Sequence, residues 1–210
     1  MANVLAPFGF SPEGTFAGAG PNFRLTERLI ASTDSTPIFS GDVVAPTYST
    51  ADGTIQQYSS TIYNSGTPLA NPCGVFWGCK YLSVSQGRTV WSRYWPGSDA
   101  NGTVKAYIID SPDTEFLVQS TQATAILQAS VGQNVNLSYT SVSGVLGNTL
   151  TGQSTQGITT PTTTLALPFI ITRLVTDPPS ANGTDLTTPY NYVIVGWNNE
   201  VFKAGVAAFA

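Results

Sequence analysis

The stretch from Cys73 to Asp110 constrains the fold most, because it predicts three consecutive strands of an antiparallel sheet. Aromatic and β-branched residues fill three runs, and Gly, Pro, Asn and Asp fill the connections between them. A meander of this kind is typical of the centre of an all-β domain. The predicted strands are Gly74–Leu82, Thr89–Trp95 and Thr103–Asp110.

The rest of the chain predicts the same fold class. Short apolar runs alternate with turn signals, and no regular alternation of strands and helices interrupts them. The run Tyr190–Trp197 is apolar on both faces, which predicts a central strand. Thr121–Val131, followed by Gly132, is the best candidate for a short helix, and Phe23–Ile30 could form a turn of helix or a strand. We therefore predict an all-β chain: an antiparallel, jelly-roll-like β-sandwich or barrel with one short helix.

Residues 1–36 differ from the rest, because their aromatic residues follow neither the strand period nor the helix period. A disordered leader is one interpretation, and an extended arm that docks its aromatic side chains on a partner is the other. Exposed apolar surface costs about 25 cal/mol per Å², which favours the arm. We predict an N-terminal arm at 1–36 and a β domain at 37–210, built as one body or two lobes. The aromatic residues concerned are Phe8, Phe10, Phe16 and Phe23.

The composition excludes several classes of function. Only 10% of the residues are charged, the formal net charge is −4, and the eight lysines and arginines are scattered. Nucleic acid and anionic membranes need clustered cations, so we expect neither as a partner. Histidine is absent, which removes Ser-His-Asp and Cys-His catalysis and most zinc sites. The start lacks the pattern of a signal peptide, and no apolar run approaches about 20 residues, so we expect synthesis in a cytosol.

The two cysteines predict free thiols. Cys73 and Cys79 lie six residues apart along one predicted strand, which separates them by about 20 Å. A disulfide requires Cα atoms within about 7 Å of each other. Unless the strand bends at Gly74 or Gly78, both side chains are buried and unpaired.

Three acidic residues around a turn, Asp110, Asp113 and Glu115, could hold Ca²⁺ or form a glycosidase pair. Their spacing matches no EF-hand loop, and a solvated corner is the alternative interpretation. We found no phosphate loop, nucleophile elbow or metal-ligand spacing. The sequence therefore predicts no enzyme, no cofactor and no metal.

Alternation along the middle strand of the meander places Trp91, Arg93 and Trp95 on one face. Such a triplet can form a surface platform that stacks on a sugar or a cation. A cross-strand ladder at the edge of the core is the other interpretation.

Short segments across the chain occur in an order that can be compared with known families: MANVLAPFGFSP, PNFRLTERLIAS, TPIFSGDVV, GVFWGCKY, SRYWPGS, AYIIDSPDTEF and SVGQN. In this order they resemble the small head-decoration, or capsid cement, proteins of tailed bacteriophages. The resemblance extends from Met1 to about Asn134 and to GWNNEVF near the end. The terminal strand finishes with Glu200 and Val201, which departs from the family.

The resemblance implies a structural virion protein, made in the host cytoplasm, that binds the major capsid protein on the capsid exterior, commonly as a homotrimer. Binding only to the expanded lattice would stabilise it against DNA pressure by mass action. The arm would supply apolar anchors and two partners for capsid carboxylates. These residues are Phe8, Phe10, Phe16 and Phe23, with Arg24 and Arg28.

A carbohydrate-binding module on a virion surface or tail is the alternative. It would stack sugars on Trp91, Trp95 or Trp197, and it predicts at least one exposed tryptophan, whereas the cement hypothesis predicts mostly buried ones. A carbohydrate hydrolase and a tail-tube or major capsid subunit are further alternatives. The absence of a long predicted helix argues against the capsid subunit.

Overall fold

The computed structural model of the chain describes residues 2–20, 24–47, 53–58, 71–138, 147–176 and 186–200. These residues form short strands and a single 3-10 turn at Gln128–Ser130. Every ladder between the strands is antiparallel, which confirms the predicted all-β fold. The strands are β1 (Ser11–Thr15), β2 (Thr26–Ile30), β3 (Ile38–Phe39), β4 (Val43–Pro46), β5 (Ile55–Gln57), β6 (Gly74–Leu82), β7 (Thr89–Ser92), β8 (Tyr94–Trp95), β9 (Val104–Ile109), β10 (Thr114–Gln119), β11 (Asn134–Val135), β12 (Leu137–Ser138), β13 (Gly147–Asn148), β14 (Gln153–Ser154), β15 (Gly157–Ile158), β16 (Phe169–Leu174) and β17 (Tyr192–Trp197).

Two large sheets form the body. Sheet A has five strands in the order β1-β10-β17-β16-β11. Sheet B has the order β2-β9-β6-β4-β5, with β7 paired to the C-terminal half of β6. The edges β2 and β5 of sheet B approach to within 8 Å between Cα atoms, yet no ladder joins these two strands. The architecture is therefore a sandwich, and the sheets form no closed barrel.

Sheet B is buried on both faces along its central strands. Val43, Val75 and Ile109 pack against the inner face of sheet A in the first hydrophobic cluster. Val44 and Phe76, their immediate neighbours in the chain, belong to a second cluster on the opposite face. Alternation along β4 and β6 explains this division, because successive strand side chains point to opposite faces.

The segment predicted to lie outside the core contributes a strand to each sheet. β1 pairs with β10 at one edge of sheet A, and β2 pairs with β9 at one edge of sheet B. The expectation that no core strand lies in 1–36 is wrong. Pro12 and Gly14 hide the strand period of β1, and they are tolerated because β1 is an edge strand with a bulge between them.

The chain before β1 is held against the body by the side chain of Gln119 and the backbone of Gln156. The side chain of Gln119, fully buried, accepts a bond from the Ala6 N–H at 2.9 Å and donates to the Val4 carbonyl at 2.8 Å. It donates to the Tyr190 carbonyl as well, at 2.9 Å. The Gly9 N–H bonds to the carbonyl of Gln156 at 3.1 Å. These contacts attach an irregular segment that has no ladder of its own.

The helix predicted at Thr121–Val131 is wrong, since only Gln128–Ser130 turns, as a 3-10 turn. Asn191 explains the difference. Its side chain accepts from the Ile126 N–H at 3.1 Å and donates to the Ile126 carbonyl at 2.8 Å. A buried amide thus replaces the bonds that a helix would make at this residue.

Two of the three strands predicted for the central meander are confirmed. β6 has the predicted bounds, and β9 is one residue shorter at each end. The middle run breaks at Arg93 into β7, which pairs with β6, and β8, which pairs with β3. Both cysteines are free and buried in the second cluster, as predicted.

Candidate functional site

The tryptophan platform, one of the two interpretations of the alternation, does not form, because the strand breaks within it. Trp91 is 65% exposed, whereas Trp95 is fully buried and donates from Nε1 to the carbonyl of Asp34 at 3.2 Å. Arg93 lies between them and is exposed. Only Trp91 and Arg93 of the triplet reach the surface together.

The predicted arm anchors are divided between core and surface. Phe10 is 1% exposed, and its ring stacks on Phe169 with centroids 4.7 Å apart, so it is no surface anchor. Phe8 is half-buried, with its ring 5.8 Å from that of Tyr192. Phe16 is 46% exposed. Phe23 lies outside the described residues.

The two predicted cationic partners have different surroundings. Arg24 is exposed next to β2. Arg28 forms an ion pair with Asp110 at 3.4 Å, and the Thr26 hydroxyl donates to the same carboxylate at 2.8 Å. Arg28 therefore already has a carboxylate partner within the chain.

One part of sheet B has a face that sheet A does not cover, and this open face carries large apolar side chains. Directly paired residues share a face, so the pairings Leu29–Lys105, Lys105–Lys80 and Lys80–Trp91 form one row across β2, β9, β6 and β7. Leu29 is 40% exposed and Trp91 is 65% exposed. Tyr107 lies two residues from Lys105 on the same face.

A groove of about 470 Å³ lies in the open face. Gly78 is directly opposite Tyr107, so β6 contributes no side chain at that point. The Trp91 ring stacks on the Tyr107 ring with centroids 5.5 Å apart and planes inclined by 10°. The lining of this aromatic groove consists of Leu25, Trp77, Gly78, Cys79, Trp91, Ser92, Arg93 and Tyr107.

Among the described residues beside the groove, positive side chains outnumber negative ones. Lys105 Nζ is 2.8 Å from a carboxylate oxygen of Glu27, and this bond raises the pKa of Lys105. Lys80 Nζ lies 4.9 Å from the centre of the Trp91 ring, a cation–π contact. Among the described residues, the guanidinium of Arg93 makes no hydrogen bond or ion pair. The described residues in and beside the groove therefore carry a net positive charge, although the chain as a whole is acidic.

No family profile, curated protein or solved structure matches this chain. Its candidate site is consequently defined by the geometry of its own residues.

The acidic residues around the turn after β9 do not form one cluster. Asp110 pairs with Arg28, and Glu115 lies 3.8 Å from Arg173. Within the described ranges, no group of three histidine, cysteine or acidic residues could hold a metal. In the same ranges, no helix has the length and apolarity to span a bilayer.

Sequence reasoning missed Leu25, Trp77 and Tyr107 as site residues. Leu25 and Tyr107 come together only because β2 pairs with β9, and the sequence left this segment open between a helical turn and a strand. Trp77 turns toward the groove at a bulge between Phe76 and Gly78, where the ladder shifts by one residue. Two features of the sequence could have indicated this site: the many aromatic residues of the meander and the glycine at position 78.

Proposed function

We propose that this chain is a structural protein of a phage virion that binds the major capsid protein on the capsid exterior and cements neighbouring capsomers. The order of short segments that resembles capsid cement proteins supports this proposal. The proposal includes assembly as a homotrimer, as the resemblance implies.

The observation that carries the proposal is the open face of sheet B. Large apolar side chains exposed together on a surface mark sites of protein interaction. Trp, Tyr and Arg are the residue types that contribute most to protein–protein affinity, and the aromatic groove contains all three. In this proposal the open face binds the capsid, in place of the aromatic residues of the segment 1–36. That segment contributes Leu25 and Leu29 to the open face.

The mechanism is linkage by mass action. A protein that binds the expanded lattice, and not the precursor shell, stabilises the expanded state by an amount that grows with its concentration. Interfaces of about 1,600 Å² repeated over a shell make many modest contacts collectively strong. A rigid sheet suits this role, because its contact surface is formed before binding.

Sedimentation with purified expanded capsids and with unexpanded shells tests the proposal. We expect the wild-type chain to sediment with expanded capsids only. Trp91→Ala should weaken that binding by about 30-fold or more, the effect of a central aromatic anchor. Leu150→Ala is the matched control, because Leu150 is 96% exposed on the β13–β14 turn and lies outside the groove. A wild-type chain that remains in the supernatant with expanded capsids would reject the proposal.

The second candidate is a carbohydrate-binding module, and the 65% exposure of Trp91 favours it. An exposed indole beside polar and charged groups can stack against the apolar face of a sugar ring. Quenching of tryptophan fluorescence by glycans, without sedimentation on capsids, would support this candidate in place of the first.

A further inference from the structure

We propose that the aromatic groove recognises an apolar side chain placed next to a carboxylate on the capsid partner. This inference rests on the proposed function, and it names the chemistry that the open face selects. The apolar walls would hold the side chain, and Arg93 with Lys80 would hold the carboxylate.

The apolar part of the site is already formed. Trp91 and Tyr107 are fixed by their mutual stack, and both belong to paired strands of sheet B. Trp77 packs against the first hydrophobic cluster and therefore forms a firm wall. A groove of about 470 Å³ lies within the usual range for binding pockets, so a large apolar side chain can be buried here.

In the part of the chain that the structure describes, the polar part of the site has no carboxylate left to pair with a further cation. Glu27, on the same face as Tyr107, is already bonded to Lys105. Among the described residues, Arg93 makes no hydrogen bond or ion pair, and Lys80 makes a cation–π contact with Trp91 but no ion pair. Two cations therefore border the groove, and no carboxylate of the described ranges neutralises them.

Charge complementarity therefore determines the ligand class. A guanidinium binds a carboxylate through two parallel hydrogen bonds, a geometry that a neutral amide or hydroxyl does not match. The Arg93 stem is fixed on one side, because Gly152 approaches it so closely that an added Cβ would lie 2.7 Å from the Arg93 Cβ. The Arg93 Cβ, from which the side chain extends, is thus held beside the groove.

Titration of expanded capsids at several salt concentrations tests the charge requirement. Arg93→Gln should weaken binding by about 10-fold or more and reduce its dependence on salt, because a charge-assisted bond is lost. Arg88→Gln is the matched control: Arg88 is exposed and bonds to Gln86 at 3.0 and 3.1 Å, outside the groove. Equal affinity and equal salt dependence of wild type and Arg93→Gln would overturn the inference.

A small probe tests the same site without capsids. The probes are 3-phenylpropionate and its alcohol, 3-phenylpropan-1-ol, followed by the NMR signal of the Trp91 indole N–H, which is assigned with Trp91→Phe. We expect the carboxylate to bind at least about 5-fold more tightly, and Arg93→Gln to abolish that preference. Equal binding of the two probes would overturn the inference. Binding of methyl glucuronide without binding of phenylpropionate would overturn it in favour of an acidic sugar.

The two proposals fail in different ways. A preference for phenylpropionate in a chain that does not sediment with expanded capsids would reject the capsid role and leave the chemistry of the groove intact. Sedimentation without that preference would reject the groove chemistry alone.

Discussion

The Trp91 ring lies face to face with the Tyr107 ring, although their strands are not neighbours in sheet B. β6 lies between β7 and β9, and the stack crosses it at Gly78, where no side chain intervenes. One face of the indole is therefore covered by Tyr107, and the residue as a whole remains 65% exposed. The stack orders the wall of the groove before any partner binds.

Removing either the Trp91 ring or the Tyr107 ring should reduce the contribution of the other ring to the free energy of unfolding. A double-mutant cycle with Trp91→Ala and Tyr107→Ala should give a coupling free energy of unfolding of about 0.5–1.5 kcal/mol, the usual value for an aromatic pair. Urea denaturation of the four proteins measures it. The pair Trp91 and Phe39 is the control, since Phe39 stacks on Tyr94 and should show no coupling. Coupling near zero for the first pair would contradict the stack.

Phe10→Ala should destabilise the fold strongly. Its ring stacks on Phe169 and meets Phe116 edge to face, with centroids 6.2 Å apart. We expect a loss of about 3–5 kcal/mol in the free energy of unfolding, as for other buried phenylalanines. Phe16→Ala is the control, because Phe16 is 46% exposed and should lose less than about 1.5 kcal/mol. A small loss for Phe10→Ala would restore the prediction that Phe10 is an anchor of an extended arm.

Asp42 is a fully buried carboxyl group that joins three segments of the chain. It accepts bonds from the Phe39 N–H at 2.8 Å, from Gln57 Nε2 at 2.8 Å and from the Ser154 hydroxyl at 2.6 Å. Burial raises the pKa of Asp42 to about 7, and the hydrogen bonds oppose that rise. Desolvation therefore outweighs three donors.

Stability should consequently fall as pH rises from about 5 to about 7. The folded chain holds the Asp42 proton more tightly than the unfolded chain, so the stabilisation present at low pH is lost as pH passes the folded pKa. The slope can approach about 1.4 kcal/mol per pH unit for one proton. The chain has no histidine, so few other groups titrate in this window. Urea denaturation from pH 5 to 8 measures the slope, and Asp42→Asn should flatten it.

Gly147→Ala should destabilise the β13–β14 hairpin. An added Cβ at Gly147 would overlap the ring of Phe39, which is stacked on Tyr94 with centroids 5.4 Å apart and cannot turn without breaking that contact. We expect a loss of about 1–3 kcal/mol, typical of overpacking. Gly20→Ala is the control, because nothing lies within 4 Å of its added Cβ. Thermal denaturation of the two variants compares them.

The thiols should be unreactive in the folded protein. Burial raises the pKa of Cys73 and of Cys79 to about 12, so almost no thiolate exists at pH 8. Ellman's reagent should release almost no colour from the native chain, and two equivalents in denaturing urea. Rapid modification of the native chain would show that β6 opens readily.

The strands that sequence predicted well are those with a regular pattern and continuous pairing. β6 keeps its predicted bounds because apolar residues face a cluster on each side. β1 was missed and β2 was left undecided between a helical turn and a strand, because an edge strand needs little apolar alternation. β2 has the burial pattern of a half-exposed strand. The segment predicted as a helix has the local pattern of one. The side chain of Asn191, distant in sequence, instead bonds to the backbone of Ile126 within it.

The site was predicted only in part, for a similar reason. Trp91 and Arg93 were identified from one strand, whereas Tyr107 and Leu25 join them through pairings that a single strand does not encode. The break after Ser92, which buries Trp95, depends on pairing between β8 and β3. Long-range strand register, not local composition, decides which aromatic residues form the groove.

Sheet B separates the two hydrophobic clusters and forms a wall that both of them share. Removing either cluster would leave a row of valines, such as Val43 or Val44, facing water. Neither cluster can therefore serve as an autonomous folding unit, and a fragment that keeps only one should aggregate. Fusions and tags consequently belong at surface turns such as β13–β14, where the backbone can be opened without splitting the wall.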